Sequence, residues 1–309
     1  MLPKADNSKK QNKEKYMHRH AYLILAHEDT SVLRRLLQLI DHERNDIFIH
    51  IDKNSKDFQI QNVLNCVKSS KISISRKYRV HWGTNSIALA TLELLKNAGK
   101  GHYNYYHVLS GADLPIKSKE EIWNFFEKHE GKEFIHFGTE QYQKDIHGRY
   151  NQYHFFSKQL GRRRDKKFWV NMETYSLAIQ RRLHVDRTKK INYDFYGGAN
   201  WISITNNLAQ YIVKNIGKYR KSFRFTQNSD ELVFQTIVMD SPYKNNLYHL
   251  KFDNDYRACV RYIDWNRGNP YVFRDSDFDE LMQTECMFAR KFDEKTDSDI
   301  IEKIYCHLI

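Results

Sequence analysis

The sequence is poor in the residues that build fibrous, disulfide-stapled or low-complexity proteins. Only 12 Gly and 4 Pro occur in 309 residues, which excludes collagen-like and linker-like chains. The four cysteines, Cys66, Cys259, Cys286 and Cys306, lie far apart and form no Cys-x-x-Cys pair. That excludes a zinc ribbon and a disulfide framework, and it fits a reducing cytosol. Apolar runs stop at strand length, as in Ala21 to Ala26, well short of the roughly 18 residues a membrane span needs. The first fifteen residues are polar and Lys-rich, without the apolar stretch of a signal peptide. Glycine loops that cradle phosphates are missing, as are the His-Glu-x-x-His motif and the Gly-x-Ser-x-Gly elbow. No zinc-finger spacing or aromatic RNA-binding signature supports nucleic-acid readout.

What is present is a globular composition. Apolar residues make up 40 % and aromatics 14 %, enough to bury a sizeable core. Lys and Arg number 50 against 38 Asp and Glu, a net charge of +12. Such a surface favours anionic partners: nucleic acid, acidic lipid or phosphorylated small molecules.

Residues 1–17 read as a disordered basic tail, and 18–309 as a single domain in three parts. In the first part, 18–137, strands alternate with helices. His20 to Ala26, Asp46 to Ile51, Lys71 to Val80, Tyr105 to Leu109 and Glu133 to Phe137 read as strands. Leu33, Leu36, Leu37 and Ile40 mark one helix face, a second helix starts at Ser86, and a capping box at Ser118 opens a third. Ser110 to Pro115 reads as a break. The alternation predicts an α/β fold with a mostly parallel sheet flanked by helices. Ligands in such sheets sit at the carboxyl ends of the strands. That rim would hold Ala26, Asp52, Val80, His81, Trp82 and the stretch Ser110 to Asp113.

The second part, 138–195, is polar, aromatic and basic, and reads as an insertion of helices and loops. The third, 196–309, returns to regular structure. It predicts strands at Asn200 to Ile204, Tyr248 to Phe252 and Cys259 to Ile263. Helices are expected at Asn206 to Ile216, Asp230 to Met239, Asp275 to Glu285 and Ser298 to His307.

Three features carry chemistry. Ser229, read as an N-cap, places Glu231 in a first helical turn, where a carboxylate could take a proton from a hydroxyl. Arg290 and Lys291 are adjacent cations between aromatics, suited to negative charge on a departing diphosphate. Asp253-Asn254-Asp255 and Asp275-Ser276-Asp277 are paired carboxylates that could hold Mg²⁺ or Mn²⁺, or simply make a turn and a helix start.

Several segments, in order over about residues 20–293, resemble glycosyltransferase family 14, the core-2/I-branching β-1,6-N-acetylglucosaminyltransferases and peptide O-xylosyltransferases. They are Ala21 to His27, Ile49 to Ser55, His81 to Ser86, Leu109 to Ile116, Gly197 to Trp201, Ser229 to Glu231, Arg261 to Trp265 and Phe288 to Phe292. The resemblance implies a GT-A-like, Rossmann-like fold. It implies inverting transfer from a UDP-sugar to a hydroxyl of a glycan acceptor, without a metal-binding Asp-x-Asp. By motif position Glu231 is similar to the family's catalytic base, and Arg290 and Lys291 to the cations on the UDP diphosphate. Ala26, Asp52 and Val80 to Trp82 fall at the nucleotide site. Asn200, Trp201 and Asn269 fall where xylosyltransferase-like members meet the donor.

Asn200 replaces an Asp of the xylosyltransferases, which weakens the expectation of xylose; the expected donor sugar is N-acetylglucosamine, β-linked. The membrane anchor and cysteine pattern of the animal members are missing. These departures predict a cytoplasmic, bacterial-type enzyme of surface polysaccharide synthesis, at the inner membrane face beside a glycan or lipid-linked acceptor, with no required cofactor and no nucleic-acid partner. The alternatives are a metal-dependent transferase using Asp253 and Asp255, or a non-catalytic binder of anionic polymers.

Overall fold

A computed structural model describes residues 18–161 and 165–309. The expected tail at 1–17 and the arginines at 162–164 lie outside the described residues. Among the described residues nine strands form: β1 (His20–Ala26), β2 (Asn45–Ile51), β3 (Ile72–Ser75), β4 (Tyr105–Ser110), β5 (Asp113–Pro115), β6 (Phe134–Ile135), β7 (Ile202–Thr205), β8 (Arg261–Ile263) and β9 (Phe288–Arg290). The central sheet has the order β3-β2-β1-β4-β7-β6, and β5-β9-β8 make a smaller sheet. Pairs among β1 to β4 are parallel; β7 runs antiparallel to β4 and β6.

The apolar run of β1 follows from burial on both faces, as in parallel sheets covered by helices. Tyr22, Ile24 and Ala26 face one core with helices Ser31–Ile40, Lys119–Lys128 and Asp299–Leu308. Ala21 and Leu23 face the other, with helices Ser86–Ala98, Asn206–Phe223 and Val233–Met239. The α/β architecture with a mostly parallel sheet is therefore present. Capping chemistry fixes helix starts: Ser118 and Glu121 form the reciprocal box, and Thr205 accepts from Leu208 N.

The small sheet is bolted to the large one by Arg261. This buried guanidinium donates to the carbonyls of Val108 (3.1 Å), Ile202 (3.2 Å) and Cys259 (2.6 Å) and to Ser203 Oγ (3.1 Å). The orientation of β9, and so of Arg290, is thereby tied to β4 and β7.

Several expectations need correction. Asp113 to Pro115 is a strand, because it pairs with β9. Strand structure at 71–80 stops at Ser75, and the chain then turns along the rim. Tyr248 to Phe252 forms no strand; its neighbour Leu247 makes one isolated bridge to Glu133. Cys259 ends a 3₁₀ turn, so β8 begins at Arg261. The helix from Asn206 continues past Ile216 to Phe223.

Candidate active site

The carboxyl ends of β1 and β2 meet at Asp52. Its backbone N donates to Ala26 O (2.9 Å), and its Oδ1 accepts from the backbone N of Asn54 (2.9 Å) and Val80 (3.0 Å). A short acidic side chain after a strand thus gathers three of the expected rim positions. The chain then turns through His81, Trp82 and Gly83. Gly83 adopts a φ of +78°, which favours glycine. Its carbonyl accepts from Asn228 N (3.1 Å), joining the rim to the segment that carries Glu231. Trp82 stands 41 % exposed at the edge.

Glu231 does not open a helix as expected. It ends a 3₁₀ turn, Ser229–Glu231, behind Asn228, whose φ is +48°. The α-helix starts only at Val233, after a turn at Leu232. Ser229 is no cap: its Oγ is buried without a protein partner among the described residues. Helix-dipole stabilisation of Glu231 therefore has no basis here.

Two side chains from the 138–195 segment hold the carboxylate instead. Arg149 Nη1 lies 2.7 Å from Glu231 Oε2, and Tyr142 Oη donates to the same oxygen at 3.3 Å. Glu231 Oε1 has no partner among the described residues, and the side chain is 35 % exposed. One oxygen is anchored and the other is open. Neighbouring Asp230 is buried, and burial, then the charge of Glu231, push its carboxyl well above the usual range.

The turn is seated by close backbone packing. Glu231 O accepts from Gly198 N (2.9 Å), and a Cβ on Gly198 would stand 2.0 Å from His136 O. Glycine at 198 is therefore sterically required. Asn200 Nδ2 reaches Asp230 Oδ2 at 3.4 Å, and the ring of Trp201 lies under the Arg290 guanidinium, 4.5 Å from its centroid. The Asn200–Asp230 bond and the Trp201–Arg290 contact thus join two pairs of sequence neighbours, Asp230-Glu231 and Asn200-Trp201, to the cation.

Arg290 is oriented by the break residues of the first half. Its Nη1 pairs with buried Asp113 Oδ1 (2.7 Å) and donates to Ser110 Oγ. Its Nε and Nη2 have no partner among the described residues, so a donating edge stays free. Lys291, half-buried, follows β9 and forms no ion pair among the described residues. Asn269 lies on an exposed loop, and its side chain bonds to none of the other candidates among the described residues.

The paired carboxylates are committed elsewhere. Asp253 is bound by His249 Nε2 (2.9 Å), Asp255 by Arg257 (2.7 Å), and Asp277 by Arg267 (2.8 Å). Among the described residues no group of three or more His, Cys, Asp or Glu is set to hold a metal. The residues are therefore a poor fit to an Asp-x-Asp metal site.

The sequence places Ser110 and Asp113 on the rim but does not reveal that they orient Arg290, and it gives no sign of Tyr142 or Arg149. Tyr142 and Arg149 carried no local signal, since their spacing resembles any polar helix.

The Core-2/I-Branching enzyme family model matches residues 20–284, and the chain belongs to that family. It is 26 % identical over 322 residues to Xylosyltransferase 2 of Canis lupus familiaris, covering 94 % of this chain and 34 % of that protein. It is 22 % identical over 309 residues to Xylosyltransferase 1 of Rattus norvegicus, covering 94 % and 35 %. The chain spans about a third of the length of these curated relatives. Among solved structures, apo mouse Xyloside xylosyltransferase 1 is 10 % identical with a TM-score of 0.36, covering 89 % of this chain and 97 % of that one.

Proposed function

We propose that the chain is an inverting glycosyltransferase that moves a sugar from a UDP-sugar to a hydroxyl of a glycan acceptor. The observation that carries this reading is the state of Glu231: one oxygen fixed by Arg149 and Tyr142, the other open, while its neighbour Asp230 bonds Asn200 and the next residue, Trp201, packs on Arg290. Glu231 Oε1 takes the acceptor proton as the hydroxyl oxygen bonds to the anomeric carbon. The bond from that carbon to the UDP oxygen breaks on the opposite face, and the electron pair leaves with UDP. Arg290, through its free edge, and Lys291 offset the charge on the departing diphosphate. Ala26, Asp52 and the turn Val80 to Trp82 form the nucleotide side of the cleft; Asn200 and Trp201 lie between nucleotide and base. The engagement of Asp253 and Asp255 by His249 and Arg257 supports a reaction with no obligatory divalent ion at those residues.

N-acetylglucosamine in β-linkage is the first reading of the donor sugar, since Asn200 stands where xylosyltransferases carry an Asp. The relatives are named xylosyltransferases, so xylose is the second reading. A thermal-shift screen against UDP, UDP-N-acetylglucosamine and UDP-xylose tests this, because a ligand of the folded state raises its melting point. A shift with UDP and a larger one with a single UDP-sugar is expected. No shift with any UDP compound overturns the reading.

A further inference from the structure

Helix Lys167–Arg182 is amphipathic the wrong way round. Phe168, Tyr175, Ile179 and Leu183, the residue after its end, are each 60 % exposed or more, and Met172 is 37 % exposed. At 3.6 residues per turn these five fall within roughly a quarter of the circumference. Toward the protein the helix turns polar residues. Buried Glu173 lies 2.7 Å from His154 Nδ1, and buried Gln180 exchanges hydrogen bonds with the Tyr153 backbone (2.8 and 2.9 Å). The inward face is thus held by hydrogen bonds, and the apolar stripe is left without a partner outside its own helix among the described residues. Single exposed apolar residues are ordinary, but an ordered stripe at helical spacing marks a contact surface.

Charge says which kind of surface. Lys166 and Lys167 bracket the stripe at one end and Arg181 and Arg182 at the other, all exposed. Residues 138–195 carry thirteen Lys and Arg against six Asp and Glu, more than half of the chain's net +12. Aromatic and aliphatic side chains along one line, with long cations at both ends, suit the boundary of an anionic bilayer. The apolar stripe enters the acyl edge there while Lys and Arg meet the headgroups. We propose that this helix lies in the plane of an anionic lipid surface and holds the protein against it. The proposal stands independently of glycosyl transfer. It also has a geometric consequence: Glu173 meets His154, whose Nε2 donates to Gly148 O (2.8 Å), and the next residue, Arg149, holds Glu231. A surface docked on this helix lies on the side of the segment that anchors the base. No helix among the described residues is long and apolar enough to cross a membrane.

The test floats the full chain with vesicles of phosphatidylcholine alone, or with about one-third phosphatidylglycerol. Binding to the anionic vesicles only is expected, weakening as salt is raised. The double variant Tyr175→Ser/Ile179→Ser should lose about tenfold or more in vesicle affinity with an unchanged melting point, since both side chains are exposed. Lys166→Gln/Lys167→Gln should weaken binding by a smaller factor, and it carries the test if the serine variant fails to fold. Equal binding by parent and variants, or no binding, overturns the proposal. So does a self-associated chain that Ile179→Ser converts to monomer, which would assign the stripe to a second copy. Binding to RNA in place of vesicles would assign the cations to nucleic acid.

Discussion

In the first half of the molecule, groups on the rim are placed by backbone. Asp52 binds the backbone N of Val80, and Asp113 binds that of Ser110 while pairing with Arg290. In the segment 138–195, Tyr142 and Arg149 act through their side-chain tips alone, reaching across to Glu231 from a short helix and a helical turn. The difference separates two kinds of precision. Groups fixed by strand ends inherit the rigidity of the sheet. A carboxylate fixed by two side-chain tips depends on those two residues being present. Mutations should therefore divide into those that remove a reacting group, those that misplace it, and those felt only as stability.

The largest effect is expected at Glu231 itself. Glu231→Gln should lower kcat by about 10²–10⁴-fold while UDP binding, followed by calorimetry, stays near the parent value. Near-normal kcat would remove Glu231 from the mechanism. Next comes Arg290→Gln, with an expected loss of about 10²-fold in kcat and weaker UDP affinity. It also leaves Asp113 buried without its cation, at a cost of about 1–3 kcal/mol, so its melting point should fall too. Arg149→Met sharpens the comparison directly. Its expected loss is about tenfold in kcat with little change in donor KM, the pattern of a base held less well rather than a nucleotide bound less well.

A smaller effect tests the rigid half. Burial pushes the Glu133 carboxyl up to about 7, although Thr205 donates to it through both backbone N and Oγ1. The folded state thus keeps its proton where the unfolded chain has lost it. That contribution is fully present below the usual glutamate range and is lost as pH rises through about 7. Denaturant titrations of the parent should show stability falling across that window, by at most about 3 kcal/mol. Glu133→Gln should flatten that fall. The smallest expected effect is none at all: EDTA should leave transfer unchanged, whereas abolition that added Mg²⁺ reverses would return Asp253 and Asp255 to the site.

How far these regions could be read from sequence follows the same division. β1 and the helices starting at Ser86 and Lys119 were legible because both-face burial, periodicity and capping residues write their boundaries locally. The rim followed from topology, since parallel strands align their carboxyl ends. Glu231 was legible as a residue but not in its setting. A Ser-Asp-Glu stretch before an apolar run reads as a capped helix. Here left-handed Asn228, bonded to Gly83, imposes a 3₁₀ turn first. Arg149 was illegible because its role depends on a partner 82 positions away. The inverted helix was illegible for a related reason: its polar inward residues are satisfied by Tyr153 and His154, which no periodicity reveals.

The central claim is that one UDP-sugar spans the rim and the cation that Glu231 is linked to. Hydrogen exchange on the intact chain, with and without UDP, tests it most directly. Joint protection of the amides at 78–83 and at 288–292, unchanged in Glu231→Gln, is the result this account predicts. Protection confined to one of the two stretches, or absent from both at saturating UDP, would contradict it.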